Sequence, residues 1–183
     1  ALRSDIHAVD PSMRLAGPAF TVTTPPGDNL WIHRAVYAAR PGDVLIVATG
    51  DAGPRWGYWG EILSVAALER GLGGLVLEGG SRDHDQLRSL GFPVFSLGAC
   101  IRGTVKDLSD QRRLNAPIEI YGLAISPGDL VVGDADGVVV LPGGQAAHAV
   151  AAGQQREDKE RTIMTQIRSG ATTLDLLGLG PIE

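Results

Sequence analysis

The sequence predicts an α/β fold: a single domain over 1–183 with a mixed β-sheet or small barrel core flanked by helices. Three observations carry this reading. From 43 to 97 apolar runs alternate with helical patterns as strand–helix–strand–helix–strand, the order of parallel βαβ units. From Pro117 the pattern changes to short strands broken by SPGD and GDADG turns, which points to antiparallel pairing. A long amphipathic pattern over 144–169 then sets Ala and Val on one side and QQREDKER on the other.

Each element has a local cause. Residues 18–24 (PAFTVTT) read as a strand closed by the Pro25-Pro26-Gly27 turn. Asp28 or Asn29 caps a helix over 30–39 with Ile32, Val36 and Ala39 on one stripe. The turn at 41–43 launches DVLIVAT (43–49), a continuous apolar run suited to a strand covered on both faces. A loop at 50–59 leads to a second helix over 60–71, with Ile62, Val65, Ala66 and Leu68–Leu72 as its core stripe. Gly71 and Gly73 stop it. Strand 74–79, the polar turn GSRDHD, a short helix over 85–90 and strand 93–97 complete the parallel part. Further strands are expected around 117–122, 129–132 and 137–141.

Composition narrows the function. Hydrophobic residues make up 44% and charged residues 20%, which argues against disorder. A net charge of −5 gives no electrostatic reason to expect a nucleic acid or an anionic membrane as partner. No apolar run approaches the about 18 residues of a membrane span, and no secretory signal is visible. The one cysteine, Cys100, makes no internal disulfide, which suits a reducing cytoplasm. The first residue is Ala1, so some N-terminal sequence is expected to be missing. Glycine is in excess, at 25 of 183 residues, and much of it falls at helix ends and near the candidate crevice, at Gly60, Gly73, Gly74, Gly79 and Gly80. The basic residues are 14 Arg and only two Lys, Lys106 and Lys159.

The chemistry-bearing stretch runs from Gly60-Glu61 to Arg82-Asp83. Glu61 falls in the first turn of the second helix, where unpaired N–H groups and the positive dipole end make a site for a small carboxylate. Arg82 follows the next strand, and parallel strands bring their C-terminal loops to one edge, so both segments can share a crevice. There an Arg can clamp a carboxylate with two parallel hydrogen bonds. Asp83 is a hard oxygen donor suited to Mg²⁺ or Mn²⁺. The plainer alternative stands beside this: an Arg-Asp turn is also a common surface ion pair, and Glu61 alone complements a helix dipole. GLGGLVLEGG lacks the strand–GxGxxG–helix order of a dinucleotide site. The histidines, His7, His33, His84 and His148, show no ligand spacing, and His84 reads as an exposed turn residue. Asp134 and Asp136 read as hairpin formers.

Several ordered blocks together resemble a known family. RLAGPAFTV (14–22), PPGDN (25–29), PGDVLIV (41–47), WGE (59–61), SRDHD (81–85), RGTVKD (102–107) and GDLVVGDADGVVVLP (128–142) are similar to those of the class II pyruvate aldolases. These enzymes cleave 4-hydroxy-4-methyl-2-oxoglutarate and 4-carboxy-4-hydroxy-2-oxoadipate, and their superfamily includes the regulator of ribonuclease activity A. The resemblance implies an α-β-β-α sandwich of the swivelling β/β/α kind. The family pattern is an acid, twenty residues, Arg-Asp, two residues, then an acid. Glu61, Arg82 and Asp83 match it, while Gln86 stands in the last place, with Asp85 as a possible substitute. The resemblance implies a divalent cation held by Asp83 through waters. It gives the pyruvyl end of a 2-oxo acid to Arg82 and to the backbone amides of Glu61, Ile62 and Leu63 beside Gly60. It also implies a Glu from a neighbouring subunit's C-terminal helix, Glu160 or else Glu157, and hence a homotrimer or homohexamer.

The expected reaction is a retro-aldol cleavage giving pyruvate plus oxaloacetate or a second pyruvate, with oxaloacetate decarboxylation permitted by the same enolate. Such chemistry uses either a Schiff-base lysine or a metal. With Lys106 and Lys159 both expected outside the Glu61–Asp83 crevice, the metal route is favoured, with Arg82 stabilising the enolate and Glu61 assisting removal of the hydroxyl proton. Tyr58 and Arg55 are candidates for the far carboxylate, or else packing and surface residues. The alternative function is a non-catalytic interaction module like the ribonuclease regulator, and retention of Asp83 favours the enzyme.

Overall fold

Four strands set the architecture of the computed structural model, which describes residues 1–50, 52–112 and 114–180. They are β2 (Leu15–Thr23), β3 (Val44–Ala48), β5 (Gly74–Leu77) and β7 (Val94–Ser96). These pair in parallel in the order β7-β5-β3-β2. Every residue of β3 is buried, as its unbroken VLIVA run requires of a strand covered on both faces. Between them run α1 (Leu30–Ala38), α2 (Glu61–Glu69) and α3 (His84–Leu90).

The antiparallel half is built from shorter pieces. Strand β1 (His7–Ala8) pairs with β7, while β10 (Leu130–Asp134) pairs with β2 and with β11 (Gly137–Leu141), giving the seven-stranded order β1-β7-β5-β3-β2-β10-β11. The sheet nearly closes on itself, since Leu2 N–H donates to the carbonyl of Val138 in β11 at 2.9 Å. Asp134 accepts from Asp136 N–H in the β10–β11 turn, the hairpin role expected of that pair. Strands β8 (Ile118–Ile120) and β9 (Leu123–Ile125) form a separate hairpin through Tyr121 and Gly122, both at positive φ, the geometry of a two-residue primed turn. The single strand expected around 117–122 is thus a hairpin, and β1 forms where no strand is expected. So does β4 (Gly57–Trp59), which pairs with β6 (Gly80–Ser81) in a two-stranded sheet.

The core stripe assigned to α2 requires correction. Leu63, Ser64 and Ala67 face inward, whereas Ile62 is 78% exposed and Val65 and Leu68 are also exposed. The helix carries apolar residues on nearly every face, so periodicity alone leaves its rotation open; the buried face is turned by about one residue, or about 100°. Gly71 at φ +69° ends the helix, as its position predicts.

The chain forms two compact units, 1–144 and 145–183. The second consists of α4 (Ala146–Arg168) and α5 (Thr173–Leu177), the latter capped by Thr172 Oγ1, which accepts from Asp175 N–H at 3.1 Å. Among the described residues no helix is long and apolar enough to cross a membrane.

Close backbone approach fixes the edge of the parallel strands. A Cβ on Gly57 would run into the carbonyl oxygen of Cys100. We expect Gly57→Ala to cost roughly 1–3 kcal/mol by overpacking. Gly144→Ala, whose added Cβ meets nothing, should stay within about 0.5 kcal/mol of the parent. Thermal unfolding of the two variants checks both.

Candidate active site

The segments 59–63 and 80–83 leave the C-terminal ends of β4 and β6 side by side. Arg82 N–H donates to Trp59 O at 2.9 Å, and Asp83 Oδ2 accepts from Glu61 N–H at 3.1 Å. Arg82 Nε lies 3.6 Å from the same oxygen. The pair expected from sequence is thus one cluster at the N-terminus of α2. Gly60 is required between them, because a Cβ there would strike Asp83 Oδ2 and crowd the Arg82 side chain. Asp83 adopts a left-handed conformation, φ 58° and ψ 40°, a strained choice for a residue with a side chain. That conformation places its carboxylate on the Glu61 amide rather than on its own helix, where it makes no cap bond.

The amides of Ile62 and Leu63 point the same way as that of Glu61. The carbonyls one turn back, on Tyr58 and Trp59, are engaged by Asn29 Nδ2 and Arg82 N–H. The N-terminus of α2, with the positive end of its dipole, borders a cavity of about 200 Å³ lined by Gly60, Ile62, Leu63 and Arg82. Asn29, His33, Tyr58 and Lys106 also line it.

That lining corrects two expectations, for Lys106 and His33, and places Tyr58. Lys106 was placed outside the crevice and lines it, so the scarcity of lysine no longer separates metal from Schiff-base chemistry. His33, set aside for lack of ligand spacing, lines it too. Its pKa is held below the ordinary value by burial first and by the Lys106 ammonium second, which favours the neutral imidazole. Tyr58 is fully buried, and its hydroxyl accepts from Gly27 N–H at 2.9 Å, so it shapes the wall as a packed residue. Burial also pushes its phenol pKa up. Asn29 is the fourth member. Its Nδ2 donates to Tyr58 O, and its buried Oδ1 has no hydrogen-bond partner.

Other candidates fall elsewhere. Arg55 is exposed in the turn Gly53–Arg55 and does not line the cavity. Asp85 is turned outward to Arg88 at 2.7 Å, and Gln86 is exposed, so neither supplies an acid to the cluster. His84 is half-buried rather than exposed: it bonds Ser81 Oγ at 2.8 Å, and burial, then Arg88, lowers its pKa. Gly73 and Gly74 open β5 at the opposite edge of the sheet, away from this cavity. Glu160 is exposed on α4 and paired with Arg156 at 2.8 Å, and Glu157 is exposed on the same helix.

The donor set bears on a metal. Among the described residues no three His, Cys, Asp or Glu side chains converge on one point. A closed Zn²⁺ site is therefore not built here. A single exposed-edge carboxylate, Asp83, with Glu61 beside it, fits an ion that keeps most of its waters and takes one or two carboxylates, as Mg²⁺ does.

Fold and site together define a class: a mixed-sheet α/β protein with a crevice lined by Arg82 and Lys106 at the C-terminal edge of its parallel strands. The chain belongs to the RraA-like family (Aldolase/RraA), whose model matches residues 1–140. It is 36% identical over 171 residues to a Halalkalibacterium halodurans protein provisionally named a 4-hydroxy-4-methyl-2-oxoglutarate aldolase, covering 91% of this chain and 80% of that one. It is also similar to the solved structure of an uncharacterized Pseudomonas syringae protein, with TM-score 0.79 and 30% identity, covering 92% of this chain and 77% of the other. The RNA-processing inhibitor RraA from Thermus thermophilus superposes with TM-score 0.68 at 26% identity, covering 78% and 84% of the two chains.

The wall makes a direct prediction. By NMR titration, His33 should titrate below the ordinary 6.5, and Lys106→Met should raise that pKa by removing the repelling ammonium. An unmoved His33 in the variant would separate the two side chains.

Proposed function

We propose that the protein is a class II pyruvate aldolase that cleaves a 4-hydroxy-2-oxo diacid in a divalent-metal-dependent reaction. The substrate is 4-carboxy-4-hydroxy-2-oxoadipate or 4-hydroxy-4-methyl-2-oxoglutarate, and the products are pyruvate plus oxaloacetate or a second pyruvate. One observation supports this above the others. A small cavity at the N-terminus of α2 is lined by both Arg82 and Lys106, which suits a small anion bearing more than one carboxylate. The aldolase names carried by relatives agree with this reading.

In this reading the amides of Ile62 and Leu63 bind the pyruvyl carboxylate, and Arg82 hydrogen-bonds the 2-oxo group. Lys106 pairs with the distal carboxylate. Glu61 takes the proton from the C4 hydroxyl, and His33, kept neutral, is a second group able to accept it. The C3–C4 bond then breaks, C4 becomes a ketone, and the electron pair passes to C3 as the enolate of pyruvate. Protonation at C3 completes pyruvate. Asp83 is the residue to hold Mg²⁺ or Mn²⁺, and the ion when bound supplies positive charge that stabilises the enolate. The same stabilisation permits oxaloacetate decarboxylation. Lys106 is solvent-exposed, unlike a Schiff-base lysine desolvated in an apolar pocket, which again favours the metal route. The site is completed, in this reading, by Glu160 of a neighbouring copy in a homotrimer or homohexamer.

The likeness to the RNA-processing inhibitor gives the second reading, a non-catalytic protein-interaction module. A coupled pyruvate-release assay with both diacids decides between them. We expect turnover with Mg²⁺ that EDTA abolishes and that Asp83→Ala lowers at least about 10²-fold. Borohydride in the presence of pyruvate should leave activity intact. Absence of pyruvate release from either diacid would leave the interaction module as the better reading, and borohydride inactivation would restore the Schiff base.

A further inference from the structure

Lys106 sits on a segment with almost no apolar anchorage. Ile101 is 87% exposed and Leu108 75%, and Val105 is exposed as well. Beyond the Arg102 guanidinium over the Trp56 ring at 4.7 Å, hydrogen bonds set where this stretch lies. Gly57 N–H donates to Arg102 O at 2.7 Å, Val105 N–H to Gly27 O at 2.9 Å, and Asn29 N–H to Val105 O at 3.2 Å. Asp28 and Val105 form an isolated parallel bridge. The side chain that closes this arrangement is Asp28. Its Oδ1 accepts from Leu30 N–H in the first turn of α1 at 2.7 Å, and its Oδ2 accepts from Asp107 N–H at 2.5 Å.

Asp28 is 3% exposed, and among the described residues no cation pairs with it. Burying a carboxylate without a counter-ion is costly unless its lone pairs are well satisfied, and a helix N-terminus is one of the few places that satisfies them. A neutral cap such as Ser would start α1 as well. What a carboxylate adds is a second acceptor, used here on another segment. That segment is held on both sides of Lys106, at Val105 and at Asp107, while Asn29 and His33 project from the α1 side of the same clasp into the cavity wall.

We propose that Asp28 is a positioning residue: its buried carboxylate clasps the Lys106 segment onto the start of α1 and so fixes Lys106 in the cavity wall. The functional consequence rests on the aldolase reading, in which Lys106 holds the distal carboxylate. Asp28→Asn keeps the volume but leaves one acceptor for two N–H groups. A misplacement of about 1 Å can cost roughly 10²-fold in rate, so a released segment should be visible in turnover.

Two measurements test the clasp. The chain has two lysines, so trace acetylation of the intact protein reads Lys106 against Lys159 as an internal standard. We expect the Lys106:Lys159 labelling ratio to rise in Asp28→Asn, and in Asp28→Ser should the first variant not fold. We also expect Asp28→Asn and Lys106→Met each to lower kcat/KM for 4-hydroxy-4-methyl-2-oxoglutarate by about 10- to 100-fold, with the double variant no worse than Lys106→Met alone. A merely structural role would add its loss to that of Lys106. An unchanged labelling ratio, or additive losses in the double variant, overturns the proposal. Should the parent protein release no pyruvate, the aldolase reading fails, and the labelling ratio alone decides whether the clasp exists.

Discussion

Four parallel strands in register force the segments that follow them onto one edge of the sheet, and the candidate site depends on that constraint. The segment after β2 carries Asp28 and Asn29, that after β3 carries Tyr58 and Gly60, that after β5 carries Arg82 and Asp83, and that after β7 carries Lys106. No two of these groups are neighbours in sequence beyond their own segment. They converge because each strand ends where its neighbour ends, and because β4 and β6 then pair above that edge to hold two of the segments together.

The electrostatics of the edge differ from those of the chain. A net charge of −5 describes long-range association, whereas the crevice is lined by Arg82 and Lys106 beside the N-terminus of α2. Two carboxylates of these edge segments are used within the protein. Asp83 accepts from the Glu61 amide, and Asp28 accepts from two amides on separate segments. Acid side chains thus organise the main chain around the cavity, and Asp83 also lies 3.6 Å from Arg82 Nε.

Much of this was legible in the sequence, and the failures share a cause. The βαβ order, the all-buried strand over 44–48, the α2 start at Glu61 and the Glu61–Arg82–Asp83 convergence follow from patterns local to one segment plus the edge rule. Where two readings of one pattern were equally good, the sequence could not choose. Helix α2 is apolar nearly all round, so its buried face was misplaced, leaving Ile62 beside the cavity instead of in the core. Lys106 was missed although a signal existed. The edge rule that united residues 61 and 82 applies equally to the segment after β7, but its exposed side chains offered no periodicity to follow. His33 and Asn29 are invisible for another reason: they acquire meaning only from the β2–α1 connection folding against a segment some 75 residues on.

The glycine excess separates into two physical kinds. Gly71 and Gly122 sit at positive φ and turn the chain, the role that abundance alone suggests. Gly57, Gly60, Gly79 and Gly80 have no such φ, yet a Cβ on any of them would collide with Cys100, Asp83, the Tyr58 ring or Trp56. Their function is space, since the edge segments stack at distances that only bare backbone tolerates. Such contact explains how short segments, with little apolar surface of their own, can hold Arg82 and the α2 amides in fixed relation. The crevice is ordered by main-chain contact rather than by a local core. A methyl group added there should therefore disturb the site more than one added in a turn, even where both positions are glycine.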